Sequence, residues 1–261
     1  MSINKKESEY QWALDEIKLL CPALEVVAEI GSRDALDAIY LAKTFQSKIN
    51  YIFEADPNLI ELITQNIKNT DNENTFEVFN IALGNHNKEI EFMAVDSSKY
   101  NNLGVGSLFE INFRNRKSSD PDSNREKVQK AIKIDMKKYS SLNLKTPDLI
   151  AMDVQGAEVE VLKGLEYQLS NTKFIILETS ISENYIGGAT FLEVHRLLKN
   201  NFKLIASSRH GKRSFRLFLD SFKYKISFKK YYQGEVDLLY INKEFDNNLW
   251  EILNLNVEIF V

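Results

Sequence analysis

Four acids stand in or directly after short apolar runs of this 261-residue chain. Glu29 lies in Val26-Val27-Ala28-Glu29-Ile30-Gly31, Glu54 follows Tyr51-Ile52-Phe53, Asp153 follows Ile150-Ala151-Met152, and Glu178 follows Ile175-Ile176-Leu177. Glu54 lies 23 residues beyond Gly31. An acid at about 20 residues past a glycine turn can accept hydrogen bonds from both ribose hydroxyls of an adenosyl group. Gly31 lets the backbone turn tightly and approach a ligand. Asn80-Ile81-Ala82-Leu83-Gly84 offers a third edge, suited to an adenine. Two cofactor classes fit such a set. A dinucleotide lays a pyrophosphate against a helix N-terminus and usually calls for three glycines. Here one glycine is followed by Ser32, Arg33, Asp34 and Ala35. S-adenosylmethionine (SAM) has no phosphate and carries a positive sulfonium, which an acid such as Glu29 favours. The comparison points to SAM. The candidate cofactor residues are Glu29, Gly31, Ser32, Arg33, Asp34, Glu54, Ala55, Asn80, Ala82 and Asp153.

Methyl transfer from a sulfonium is an in-line displacement. The acceptor atom must be held about 3 Å from the methyl carbon and must lose a proton. Asp153 is placed to accept that proton or to orient an acceptor hydroxyl. Glu158, five residues on, either shares this task or stabilises the dipole of the helix it opens. Glu178 belongs to the same rim. His210, in Arg209-His210-Gly211-Lys212-Arg213, borders the acceptor side and completes the catalytic candidates. His195 falls within a helical pattern and reads as packing or surface, and His86 sits in a polar turn. Three carboxylates could hold a divalent cation. With no histidine at a metal spacing, no metal ligands are assigned.

The elements that must position these groups follow from periodicity. Strands are expected at 26–30, 51–54, 76–81, 148–152, 174–178, 203–207 and 236–241. Helices are expected at 34–45, after the Asp56 cap with Pro57 in its first turn, at 159–169, and from the capping box Thr190-Phe191-Leu192-Glu193 to Leu198. A first helix opens at Ser8-Glu9-Tyr10-Gln11, which reads as a capping box, and Pro22 limits it. Strand–helix alternation predicts an α/β fold: a Rossmann-like, doubly wound, mostly parallel seven-stranded sheet. Between 90 and 134 the alternation breaks. Ile90, Phe92 and Ala94 suggest one strand and Ile132 and Ile134 another, around a polar mobile loop at about 100–127. The expected organisation is an N-terminal helix (1–25), one main domain (26–245) and a C-terminal tail (246–261).

Composition bounds the function. A net charge of −4 from 37 acids and 33 bases argues against a general nucleic-acid binder and permits a local basic patch. Such a patch exists at 209–230, with eight Lys or Arg, one acid (Asp220) and five aromatic residues, within an expected insertion at 209–232. It reads as a solvated face or as a site for an anionic acceptor. The single cysteine, Cys21, forms no intrachain disulfide. No apolar run reaches a membrane span and no signal peptide is visible, so a cytoplasmic address is expected. Self-association into a homo-oligomer is compatible with the sequence.

Taken in order, these segments resemble the FkbM family of SAM-dependent methyltransferases, a class I type. The similarity runs over about residues 26–206. It is carried by Glu29-Ile30-Gly31, Tyr51-Ile52-Phe53-Glu54-Ala55-Asp56-Pro57, Asn80-Ile81-Ala82-Leu83-Gly84 and Gly106-Ser107-Leu108. It continues through Ile134-Asp135, Leu162-Lys163-Gly164, Leu177-Glu178 and, most specifically, Asp148-Leu149-Ile150-Ala151-Met152-Asp153-Val154-Gln155-Gly156-Ala157-Glu158. The resemblance implies O-methylation of a hydroxyl on a carbohydrate or other small acceptor. Three departures stand out: Ser32-Arg33-Asp34-Ala35 after Gly31, Ala151 where the family often has Lys, and Gln155 where it usually has Glu. The alternative readings are a nucleic-acid or protein methyltransferase using the basic aromatic segment, and a non-catalytic binding module on the same fold.

Overall fold

The computed structural model describes residues 8, 10–71, 75–96, 98, 103–113, 128–208 and 235–246. His210 and the basic stretch 209–232 lie outside the described residues, as does the tail beyond Asp246.

Chain order is α1 (Gln11–Leu20), β1 (Val26–Ile30), α2 (Leu36–Phe45), β2 (Ile49–Phe53), α3 (Ile60–Lys68), β3 (Phe76–Phe79), β4 (Ala82–Leu83), β5 (Lys88–Val95) and β6 (Gln129–Lys137). There follow β7 (Leu149–Met152), α4 (Glu158–Leu165), α5 (Tyr167–Asn171), β8 (Phe174–Ser180), α6 (Phe191–Leu198), β9 (Phe202–Ser207) and β10 (Glu235–Asn242). Seven strands form one sheet in the order β3-β2-β1-β7-β8-β10-β9. All its pairs are parallel except those of β10, which runs antiparallel to β8 and β9. The fold is therefore the doubly wound α/β type that the alternation predicts.

The strands read as continuous apolar runs because both faces are covered. Val26, Ala28, Ile30, Ile150 and Met152 pack with Val161 and Leu162 of α4 and Val194 of α6 on one face. Val27, Leu149, Phe174 and Ile176 pack with Leu14 and Ile17 of α1 and Leu41 and Phe45 of α2 on the other. So α1 is built into the core of the main domain. Gly164 lets α4 close on the sheet: a Cβ there would sit 1.9 Å from the Gly84 carbonyl oxygen.

Several local expectations differ from the structure. Ser8 does not form a capping box with Gln11. Its hydroxyl donates to Asp37, and Gln11 Oε1 accepts from the Tyr40 hydroxyl at 2.5 Å, so both side chains tie α1 to α2. The helix expected at 159–169 is two helices, because Glu166 turns the chain at φ 50° and ψ −120°. α2 begins at Leu36, whose amide is held by Asp34 Oδ1 at 3.1 Å. Residues 82–137 build a second sheet, β4-β6-β5. Part of the loop expected to be mobile is tied down: Met93 and Ser107 exchange backbone hydrogen bonds, and Ile186 N donates to Glu110 O at 2.8 Å. The capping box at Thr190–Glu193 and the Asp56 cap with Pro57 form as predicted. Among the described residues, no helix is long and apolar enough to cross a membrane.

Parallel pairing fixes where the chemistry meets. At the carboxyl edge, Gly31 N donates to Phe53 O at 2.9 Å, Glu54 N to Phe79 O at 3.0 Å, and Asp153 N to Ile30 O at 3.0 Å. These bonds bring the residues after β1, β2 and β7 side by side. Gly31 has φ 81°, and a Cβ there would lie 1.9 Å from the Asp153 carbonyl oxygen. The glycine is needed for the approach of two strand ends. Gly31→Ala is expected to lower stability by about 1–3 kcal/mol, the cost of overpacking a well-fitted site. Chemical denaturation checks this, and wild-type stability would contradict it.

Candidate active site

The loops after β1, β2, β3 and β7, with β4, enclose a crevice of about 840 Å³, part of it open to solvent. It lies where strand order reverses between β1 and β7, the usual ligand position in such sheets. Among the described residues, five acids line it, Glu29, Asp37, Glu54, Asp56 and Asp153, against one cation, Arg33. Its apolar walls include Phe53, Ile81, Leu83 and Phe92. This balance disfavours a pyrophosphate and favours a cationic ligand.

Glu54 is buried at the end of β2. Its Oε2 accepts from Arg33 N and its Oε1 from Asp56 N, each at 2.8 Å. The Ala55 amide also hydrogen-bonds this carboxylate, which leaves one accepting site for a ligand hydroxyl. Burial raises the Glu54 pKa, and the Asp56 and Arg33 amides oppose the rise. Arg33 holds φ 57°, so the loop after β1 presents its amide to Glu54 without a second glycine. Glu29 lies inside the buried strand β1. Burial pushes its carboxyl well above the usual range, and the Ser32 hydroxyl donates to it.

Asp153 directly follows β7, Glu178 lies in the adjacent parallel strand β8, and the two are hydrogen-bonded to each other. Burial raises both carboxyls, Asp153 to about 7 and Glu178 further, because two contacting carboxylates cannot both ionise. The pair therefore titrates as a unit, with Glu178 keeping its proton to a higher pH than Asp153. Gln155 Nε2 donates to Asp153 Oδ1 at 2.5 Å and lies 3.4 Å from Glu178 Oε2. Glu158 is buried at the start of α4. Its Oε1 accepts from Gly156 N at 2.8 Å, and its Oε2 has no hydrogen-bond partner among the described residues.

Burial pushes the Glu158 carboxyl up to about 8 from an ordinary 4.5. A raised folded-state pKa means that the folded protein binds the extra proton. The stability from that proton is fully present below pH 4.5 and is lost as pH rises through about 8. Glu158→Gln removes this dependence, so the variant gains thermal stability relative to wild type between pH 5 and pH 8. Parallel melting curves that keep a constant separation would contradict this.

Of the sequence candidates, Glu29, Gly31, Ser32, Arg33, Glu54, Ala55, Ala82 and Asp153 share the crevice. Asp34 instead holds the first turn of α2 and pairs with Arg33 at 3.2 Å. Asn80 braces the loop after β2 by donating to Glu54 O at 2.9 Å. Glu178 and Glu158 stand behind the lining. His195 packs on Phe191 and meets the Tyr240 hydroxyl at 3.1 Å, and His86 contacts Asn85. The sequence reading missed Tyr10 and Asp37, which line the crevice from α1 and α2. It also gave Gln155 no role. Only its place two residues after Asp153 hinted at one. Among the described residues, no group of three or more His, Cys, Asp or Glu is arranged to hold a metal ion.

Sheet order and an acid-lined crevice at the switch point define a Rossmann-like protein of the class I methyltransferase type. The family model for the methyltransferase FkbM domain matches residues 25–213, and the chain belongs to that family. It is similar to the 2-O-methyltransferase NoeI of Sinorhizobium fredii (strain NBRC 101917 / NGR234), 27% identical over 215 residues covering 80% of this chain and 85% of that one. Among solved structures it resembles methyltransferase FkbM from Methylobacillus flagellatus KT, at 12% identity and a TM-score of 0.49, over 84% of this chain and 44% of that one. It thus spans less than half of that solved chain. A second similar structure is M. capricolum TrmK in complex with S-adenosyl-homocysteine, at 11% identity and a TM-score of 0.44, over 89% of this chain and 68% of that one.

Proposed function

We propose that this protein transfers a methyl group from SAM to a hydroxyl of a carbohydrate or another small acceptor. The observation that carries the reading is Glu54, buried at the β2 end with its carboxylate lining a crevice that, among the described residues, holds five acids and one cation. The residues fit the cofactor. Glu54 suits a ribose diol, Ile81, Ala82 and Leu83 give an apolar wall, and Asp37 and Asp153 favour positive charge. When bound, SAM supplies an electrophilic methyl on a sulfonium.

The rest is done by the chain. Asp153, ionised while Glu178 keeps the shared proton, accepts the proton of the acceptor hydroxyl. Glu178 donates its hydrogen bond to the Asp153 carboxylate and holds it in place. Phe92 and Leu108 line the same crevice as Asp153. The name of the NoeI relative supports oxygen as the methylated atom.

Calorimetry with SAM and S-adenosylhomocysteine, followed by turnover on a panel of sugars, glycans and nucleotides, tests the reading. Micromolar binding and turnover on a hydroxyl are expected. No binding at millimolar SAM would leave the non-catalytic binding module. Turnover on oligonucleotides alone would favour the nucleic-acid reading.

A further inference from the structure

Gln155 joins four parts of the fold. It follows β7 at φ 52° and is buried. Its side-chain oxygen accepts from the Tyr185 hydroxyl, and its backbone carbonyl accepts from the Ser107 hydroxyl at 2.7 Å. Its amide nitrogen faces Asp153 at 2.5 Å and Glu178 at 3.4 Å. A primary amide has one accepting and one donating end. With the Tyr185 proton directed at the oxygen, the nitrogen is left facing the carboxyls. Turning the amide round would set an acceptor against the Asp153 carboxylate and remove the bond that the Tyr185 hydroxyl donates.

The surroundings make that donor matter. Asp153 is faced by Glu178 from β8, Glu235 and Asp237 from β10, Glu158 from α4 and the Tyr10 phenol from α1. All of these are acids or phenols. Desolvation and like charge both press Asp153 toward its neutral form, in which it cannot take a proton. The N–H bond from this amide to Asp153 opposes that pressure and adds no charge of its own.

We propose that Gln155 is the positioning residue of this acid pair: Tyr185 sets the direction of its amide, and the amide holds Asp153 ionised beside a protonated Glu178. The proposal rests on the reading of Asp153 as the base. It adds a reason for a neutral amide at this position. A glutamate there would bring a third carboxyl against the pair and require one more proton in the cluster.

The test is a carboxyl-carbon NMR titration of the full chain in wild type, Gln155→Leu, Gln155→Glu and Tyr185→Phe. The lower-pH step of the Asp153/Glu178 pair is expected to move to a pH higher by about 1 or more in Gln155→Leu. A larger displacement is expected in Gln155→Glu, and a smaller one in the same direction in Tyr185→Phe. Where an acceptor is turned over, kcat at pH 7 falls at least tenfold in Gln155→Leu and recovers at higher pH, while the acceptor KM moves less. Should Gln155→Leu fail to fold, Tyr185→Phe, which removes one hydroxyl, carries the titration alone. A wild-type titration in a folded Gln155→Leu, or in Tyr185→Phe when only that variant folds, overturns the proposal. Wild-type protein that binds neither SAM nor S-adenosylhomocysteine, yet shows the displaced titration in the variants, overturns the methyltransferase reading and leaves the positioning role standing.

Discussion

Asp153→Asn is expected to lower turnover by about 10²–10⁴-fold, the usual contribution of a general base, while SAM still binds. Asparagine keeps the shape of the side chain and can still hydrogen-bond Glu178. The packing at the ends of β7 and β8 is therefore retained. What is lost is the capacity to take a proton. Wild-type turnover should rise as pH increases through about 7, where Asp153 loses its proton, and the variant should lose that rising limb. Because Asp153 and Glu178 share a proton, the profile reports the pair. Steady-state rates across pH 5.5–9 on the best acceptor provide the measurement. Wild-type turnover in the variant would remove Asp153 from the role of base.

Glu54→Ala should weaken SAM binding by about 3 kcal/mol, or about 100-fold, since a hydrogen bond to a charged group is lost. The variant also leaves the Arg33 and Asp56 amides without their acceptor, which loosens the loops on either side of the crevice. Glu54→Gln keeps one accepting oxygen and should fall between wild type and the alanine variant. Titration calorimetry below the unfolding temperature separates lost contact from lost fold. Unchanged affinity in a folded Glu54→Ala would place the ribose elsewhere.

The sequence by itself determined the alternation of strands and helices, and with it which residues stand at strand ends. Those properties are local. Apolar runs such as Val26–Ile30 specify strands buried on both faces, and a parallel sheet puts every residue after a strand on one edge. Gly31, Glu54 and Asp153 were therefore legible as neighbours although 122 residues separate the first from the last. The motif resemblance added the family. The tertiary structure decided what each group touches. Gly31 is required by the Asp153 carbonyl, Gly164 by the Gly84 carbonyl, and Asn80 supports the loop that carries Ala55. Tyr10 reaches the crevice because α1 packs across the sheet against α2, a contact with no periodic signature in the chain. Asp153 and Glu178 share a proton only because β7 and β8 are adjacent. Burial and like charge set that proton's place, and both depend on atoms that distant parts of the chain bring together.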